Sequence, residues 1–117
     1  NVVCGETGWA SAVLIRGGVP VEGIDVMRNR RHAARRDRDL CSGPARLTQA
    51  LAITGARNGA DLVRGPVRLL DDGVPPPRRP GRSTRVGLKP GEGDRSRWRW
   101  FVRDDPNVSP GRPSGGR

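Results

Sequence analysis

Tyrosine is absent from this chain of 117 residues, and a single Phe stands beside three Trp. Aromatic side chains bury more area than any others, so a core built almost without them is small and the folded state marginal. Other apolar residues do not make up the shortfall: 33% of the chain is hydrophobic, and the 17 Gly bury almost nothing. Cys4 and Cys41 are too few for a disulfide framework and lack metal-ligand spacing, which predicts a reducing, intracellular setting and no metal. His32 is the only histidine and reads as exposed. No apolar run approaches the length of a membrane span and no secretory leader is visible, so a cytoplasmic protein with no membrane partner is expected. No internal repeat is present. The chain begins at Asn1, on what reads as the middle of a strand, and so reads as a fragment.

What the chain does have is positive charge. The 22 Lys+Arg outnumber 12 Asp+Glu, giving a formal net charge of +10, and Lys89 is the only lysine. Such an excess favours a polyanionic partner through counterion release and steering. Arginine adds bidentate phosphate contact and stacking, although a GC-rich genome raises arginine as well. The 17 Gly and 11 Pro crowd into residues 73–93 and 105–117, marking a linker at Val74–Arg82 and a disordered tail over residues 110–117.

One stretch organises the rest: Arg38-Asp39-Leu40-Cys41-Ser42-Gly43-Pro44-Ala45-Arg46-Leu47-Thr48-Gln49-Ala50-Leu51-Ala52-Ile53. Ser42 or Gly43 suits an N-cap, and Pro44, which lacks an N–H, suits the first helical position. Leu47, Ala50, Leu51 and Ile53 recur at helical spacing on one apolar face. Gly55 is the expected C-cap, giving a helix of about three turns. Asp37 to Leu51 resembles the signature of the alkyladenine (3-methyladenine) DNA glycosylases, Asp-Arg-(Asp/Glu)-Leu-Cys-Ser-Gly-Pro-x-(Lys/Arg)-Leu-x-Gln-Ala-Leu, almost letter for letter.

Further resemblances follow in chain order. Asn1 with Val2-Val3, and then Val13-Leu14-Ile15-Arg16, are similar to two family strands, and here they read as a hairpin around Gly5-Glu6-Thr7-Gly8. Pro20 to Arg28 resembles the family's Pro-x-Glu-Gly-x-x-x-Met and reads as a short helix with Ile24, Met27 and Val26 turned inward, Glu22 and Asp25 suiting its dipole. Arg28, Arg30, Arg31, Arg35, Arg36 and Arg38 form either a DNA-phosphate patch or a solvated loop. Val67 to Asp71 is an expected strand. Thr84-Arg85-Val86-Gly87-Leu88 and Trp98-Arg99-Trp100-Phe101-Val102 resemble two further family strands, and Pro106-x-Val108-Ser109 the segment that closes the domain. Trp98 and Trp100 share one face by alternation and are expected in the core; Trp9 is left open.

The resemblance covers residues 1–109 and implies the C-terminal part of a glycosylase domain: α+β, an antiparallel sheet flanked by short helices, loop-rich and incomplete. It implies hydrolysis of the N-glycosidic bond of alkylated purines after base flipping. The partner would be double-stranded DNA with an alkylated or deaminated purine, met by a monomer of bacterial type associated with the nucleoid, with no cofactor. By resemblance Arg16 positions the nucleophilic water or the adjacent phosphate, the carbonyl of Val86 is a further partner of that water, and Asn1 lies beside the flipped base. Arg28, Arg30 and Arg31, with Ser42 at the start of its helix, would contact DNA; for Ser42 a plain cap is the alternative. The family's general-base Glu and intercalating Tyr match nothing here, since Glu6, Glu22 and Glu92 lie in turns, a helix start and a Gly-rich loop. The chain alone is therefore expected to be inactive. Another function class, a non-enzymatic basic nucleic-acid-binding module, remains open and predicts salt-sensitive, lesion-indifferent binding.

Overall fold

The computed structural model describes residues 1–111, so the expected tail over 110–117 falls outside the described residues from 112 onward. The architecture is α+β as expected, and among the described residues the antiparallel pairing is divided between two two-stranded sheets beside a pair of short helices.

The first hairpin forms as expected but is short. β1 (Val2–Val3) pairs with β2 (Ala12–Val13) in the register Val2↔Val13 and Val3↔Ala12. The Cys4 amide donates to the Ser11 carbonyl at 3.0 Å and extends the ladder by one bond. Trp9 lies outside the strand and is exposed.

α1 spans Ile24–Arg30, with Asp25 in its first turn and Arg28 and Arg30 in its last, each complementing the helix dipole. Met27 is buried and Ile24 half-buried, whereas Val26 points to solvent, a correction to its expected inward position. α2 spans Pro44–Ala50. Its N-cap is Gly43, whose φ of 144° disfavours any residue with a Cβ and explains a glycine directly before the N1 proline.

α2 ends a turn earlier than expected. Ala52 takes the left-handed conformation (φ 52°), with its amide bonded to the Gln49 carbonyl at 3.2 Å and the Ile53 amide bonded to the Thr48 carbonyl at 2.8 Å. Those two bonds are a Schellman termination, so the cap is Ala52 and not Gly55, which instead begins a 3₁₀ turn at Gly55–Arg57. The early stop leaves Leu51 exposed rather than on the buried face.

α1 and α2 pack on each other around Met27, Leu40, Cys41 and Ala50, with Ile24, Ala34 and Leu47 at the margin. Leu40 is fully buried, and the Cys41 Sγ lies 3.9 Å from the Met27 Sδ. Arginines tie the pair together. Arg31, itself buried, donates to Gln49 Oε1 at 3.1 Å and to the Asp39 carbonyl at 3.2 Å. Arg30 donates to the Ala50 carbonyl at 2.9 Å, supplying one of the acceptors left open at the end of α2, and Gln49 returns a bond to the Arg30 carbonyl at 3.1 Å.

The second sheet pairs β3 (Gly81–Ser83) with β4 (Arg99–Phe101) in the register Gly81↔Phe101, Arg82↔Trp100 and Ser83↔Arg99. The strand expected at residues 84–88 thus sits three residues earlier, and β3 draws on the end of the proline-rich linker. Residues 67–71 form no strand, and Leu69 and Leu70 are exposed. On β4 the alternation of faces is as expected but its sense is reversed. Trp98 and Trp100 are 68% and 58% exposed, while Arg99, at 7%, faces inward.

Candidate functional site

The chain leaving β2 runs through Arg16 to Gly17, which bridges antiparallel to Ser42 just ahead of α2. The Gly18 amide donates to the Cys41 carbonyl at 3.3 Å. A Cβ on Gly17 would lie 2.8 Å from the Cys41 carbonyl oxygen and 3.6 Å from the Asn107 carbonyl oxygen. Gly17 is therefore where the first hairpin, the start of the signature helix and the C-terminal loop meet at backbone distance.

Beside this junction lies a groove of about 440 Å³ whose walls are residues 13–19 on one side and residues 98–102 with Asp105 and residues 107–109 on the other. A second groove of about 410 Å³, lined by Ser83, Thr84 and Val86, shares Arg99 and Ser109 with the first. Arg99 therefore stands between Arg16 on one side and Val86 on the other.

Its position is set by neutral partners. Arg99 donates to the Ser109 carbonyl at 2.6 Å and to the Ser83 hydroxyl at 3.3 Å, and its guanidinium lies 4.7 Å from the centre of the Phe101 ring. Burial, and next the positive charge of Arg16, push the proton affinity of Arg99 below the usual arginine value. Arg16 is half-buried, and its Nε is enclosed without a hydrogen-bond partner among the described residues. Among the described residues the ion pairs are Arg28 with Asp25 and with Asp37, and Arg36 with Asp39, all within or just after α1. Neither groove arginine has one. Asp105 lines both grooves, but its carboxylate accepts from the Asn107 amide at 2.7 Å and from the Asn107 side chain at 3.0 Å, bonds that hold it below the usual carboxylate range.

The other residues singled out in the sequence fall elsewhere. Asn1 is exposed ahead of β1 and lines neither groove. Arg28 is exposed, bonded to Asp37; that bond, and then the charge of Asp37, raise its pKa. Arg30 and Arg31 are engaged between the helices, and Arg31 presents almost no surface. Ser42 is buried and does not cap α2, since no side-chain bond caps that helix; its hydroxyl accepts from Arg46 at 3.1 Å. Among the described residues no three of His, Cys, Asp and Glu gather into a metal-holding group. No helix among them is long and apolar enough to cross a membrane. Sequence reasoning missed Arg99. Its signal was the alternation that places it on the face opposite Trp98 and Trp100.

Fold and site together define an α+β protein with a groove lined by two arginines that form no ion pair among the described residues. The chain belongs to the methylpurine-DNA glycosylase family, whose model matches residues 1–106. It is 45% identical over 111 residues to a Burkholderia cenocepacia protein named "Putative 3-methyladenine DNA glycosylase", covering 93% of this chain and 53% of that one. Proteins of the same name from Streptomyces avermitilis and Chlorobium luteolum are 43% and 44% identical, covering 94% and 97% of this chain and 53% and 57% of theirs. The chain thus spans about half the length of the curated relatives it matches.

Proposed function

We propose that this chain provides the arginine-lined half of an enzyme that excises alkylated or deaminated purines from double-stranded DNA, acting as a monomer at the bacterial nucleoid. The reaction is hydrolysis of the N-glycosidic bond after the damaged nucleotide has left the stack. One observation carries the reading: Arg16 and Arg99 line a single groove with no ion pair among the described residues. Asp105 lines the groove as well, but its carboxylate is bonded to Asn107 and to neither arginine, so two partly desolvated cations still favour an anionic ligand. A DNA backbone supplies one.

In this reading Arg16 orients the attacking water or the phosphate next to it, and the carbonyl of Val86, beyond Arg99, is a second partner of that water. Asn1 would meet the flipped base. Arg28, exposed on α1, is the phosphate contact its position best supports, with Arg30 beside it. Arg31 and Ser42 serve the helix pair and the junction before α2, so any DNA contact of theirs is indirect.

The chain by itself does not turn over. Activating water needs a carboxylate base within hydrogen-bond reach; Glu6, Glu22 and Glu92 are exposed and line neither groove, and Asp105, which lines both, is occupied by two bonds from Asn107 that lower its pKa and weaken it as a base. The test is release of 3-methyladenine or hypoxanthine from duplex DNA, measured beside binding to the same duplexes. Lesion-specific release by this chain contradicts the inactivity. Binding that ignores the lesion and weakens steeply with salt replaces the glycosylase reading with that of a plain nucleic-acid-binding module.

A further inference from the structure

We propose that Arg99 is a second anion-binding residue beside Arg16, and that the two guanidinium groups together hold one phosphodiester of the substrate strand at the floor of the groove. The inference deepens the glycosylase reading and rests on it for the identity of the polyanion. Arg99 and Arg16 line the same groove, and the bonds that fix Arg99 go to a carbonyl and a hydroxyl. These acceptors aim its charge without neutralising it. The enclosed Nε of Arg16 has no acceptor among the described residues. Asp105 on the same groove is bonded to Asn107 and pairs with neither guanidinium among the described residues, so an anion between the two like charges relieves their repulsion. A phosphodiester has two non-bridging oxygens, so each can accept from a different guanidinium.

The surroundings favour a nucleic-acid backbone over a lone carboxylate. Trp98 and Trp100 stand exposed at the mouth of the same groove, with the guanidinium of Arg82 4.6 Å from the centre of the Trp100 ring. Arg97 lies on the same hairpin, donating to the Arg82 carbonyl at 2.9 Å. Exposed indoles among arginines suit bases and the phosphates that follow them along a strand.

The test uses the whole chain, isotope-labelled, titrated first with inorganic phosphate and then with an undamaged DNA duplex while the arginine Nε–Hε signals are followed. The signals of Arg16 and Arg99 are expected to move together along one saturating curve. Arg99→Gln is expected to weaken duplex binding about tenfold and to lower the slope of log affinity against log salt by about one, with Arg99→Lys recovering part of both. Unmoved Arg16 and Arg99 signals overturn the proposal, as does a folded Arg99→Gln variant with an unchanged slope. Should Arg99→Gln lose its amide dispersion, the titration of the unsubstituted chain decides. Joint movement of the two signals without any preference for damaged duplexes supports the arginine pair and removes the glycosylase reading. A preference for damaged duplexes with both signals unmoved removes the pair alone.

Discussion

Gly17→Ala introduces one methyl group at the point where three segments touch. The new Cβ would stand 2.8 Å from the Cys41 carbonyl oxygen, 3.5 Å from the Gly43 nitrogen and 3.6 Å from the Asn107 carbonyl oxygen. All three neighbours are backbone atoms, so no side chain can swing aside and the segments themselves must separate. Overpacking of that kind costs roughly 1–3 kcal/mol, and parting the strands also puts the bond from Gly18 to Cys41 at risk. A domain of this size with so few buried apolar residues has only a few kcal/mol in hand, so the loss should shift the urea midpoint by a large fraction of its value. Gly18→Ala is the matched control. Nothing lies within 4 Å of its Cβ, so the variant should be neutral or gain up to about 1 kcal/mol through a stiffer unfolded chain. Urea unfolding followed by tryptophan fluorescence, using the three Trp present, reads both variants. Equal midpoints for Gly17→Ala and Gly18→Ala would refute the claim that Gly17 is a forced close approach.

Ala52 caps α2 in the left-handed region, where a Cβ costs roughly 1–2 kcal/mol, so Ala52→Gly should stabilise the chain by about 1 kcal/mol; a lower urea midpoint would contradict the Schellman assignment. Arg31→Met keeps the stem but removes the bonds to Gln49 and the Asp39 carbonyl, with an expected loss of about 1–3 kcal/mol, whereas an unchanged thermal midpoint would mean the guanidinium does not join the helices. Gly81→Ala places a methyl group inside the Phe101 ring across the sheet, so amide exchange at Ser83 and Arg99 should speed up; unchanged exchange would show that the ring moves freely. Burial raises the Cys41 thiol pKa, although Arg31 partly opposes it, so less thiolate forms at neutral pH; Cys41 should react with a thiol reagent much more slowly than exposed Cys4 and speed up only above the ordinary thiol range, and equal rates at neutral pH would sink this expectation.

The sequence by itself determined the family, the first hairpin, both helices, a strand around Trp98–Val102 and the start of α2, because these rest on local chemistry. Pro44 cannot donate, a turn at Gly43 needs a residue without a Cβ, and apolar spacing along Ile24–Met27 and Leu47–Ala50 has one helical solution. Arg16 and Val86 were legible only through resemblance. Tertiary structure decided where α2 stops, since an alanine carries no sequence mark of a left-handed cap, and it decided that Arg31 would join two helices rather than face solvent. It also decided which face of β4 is inside. Alternation along Trp98-Arg99-Trp100 states that the indoles share a side and the guanidinium takes the other, but not which side is covered. That depends on residues distant in the chain, namely the Ser109 carbonyl, the Ser83 hydroxyl and the strand leading to Arg16.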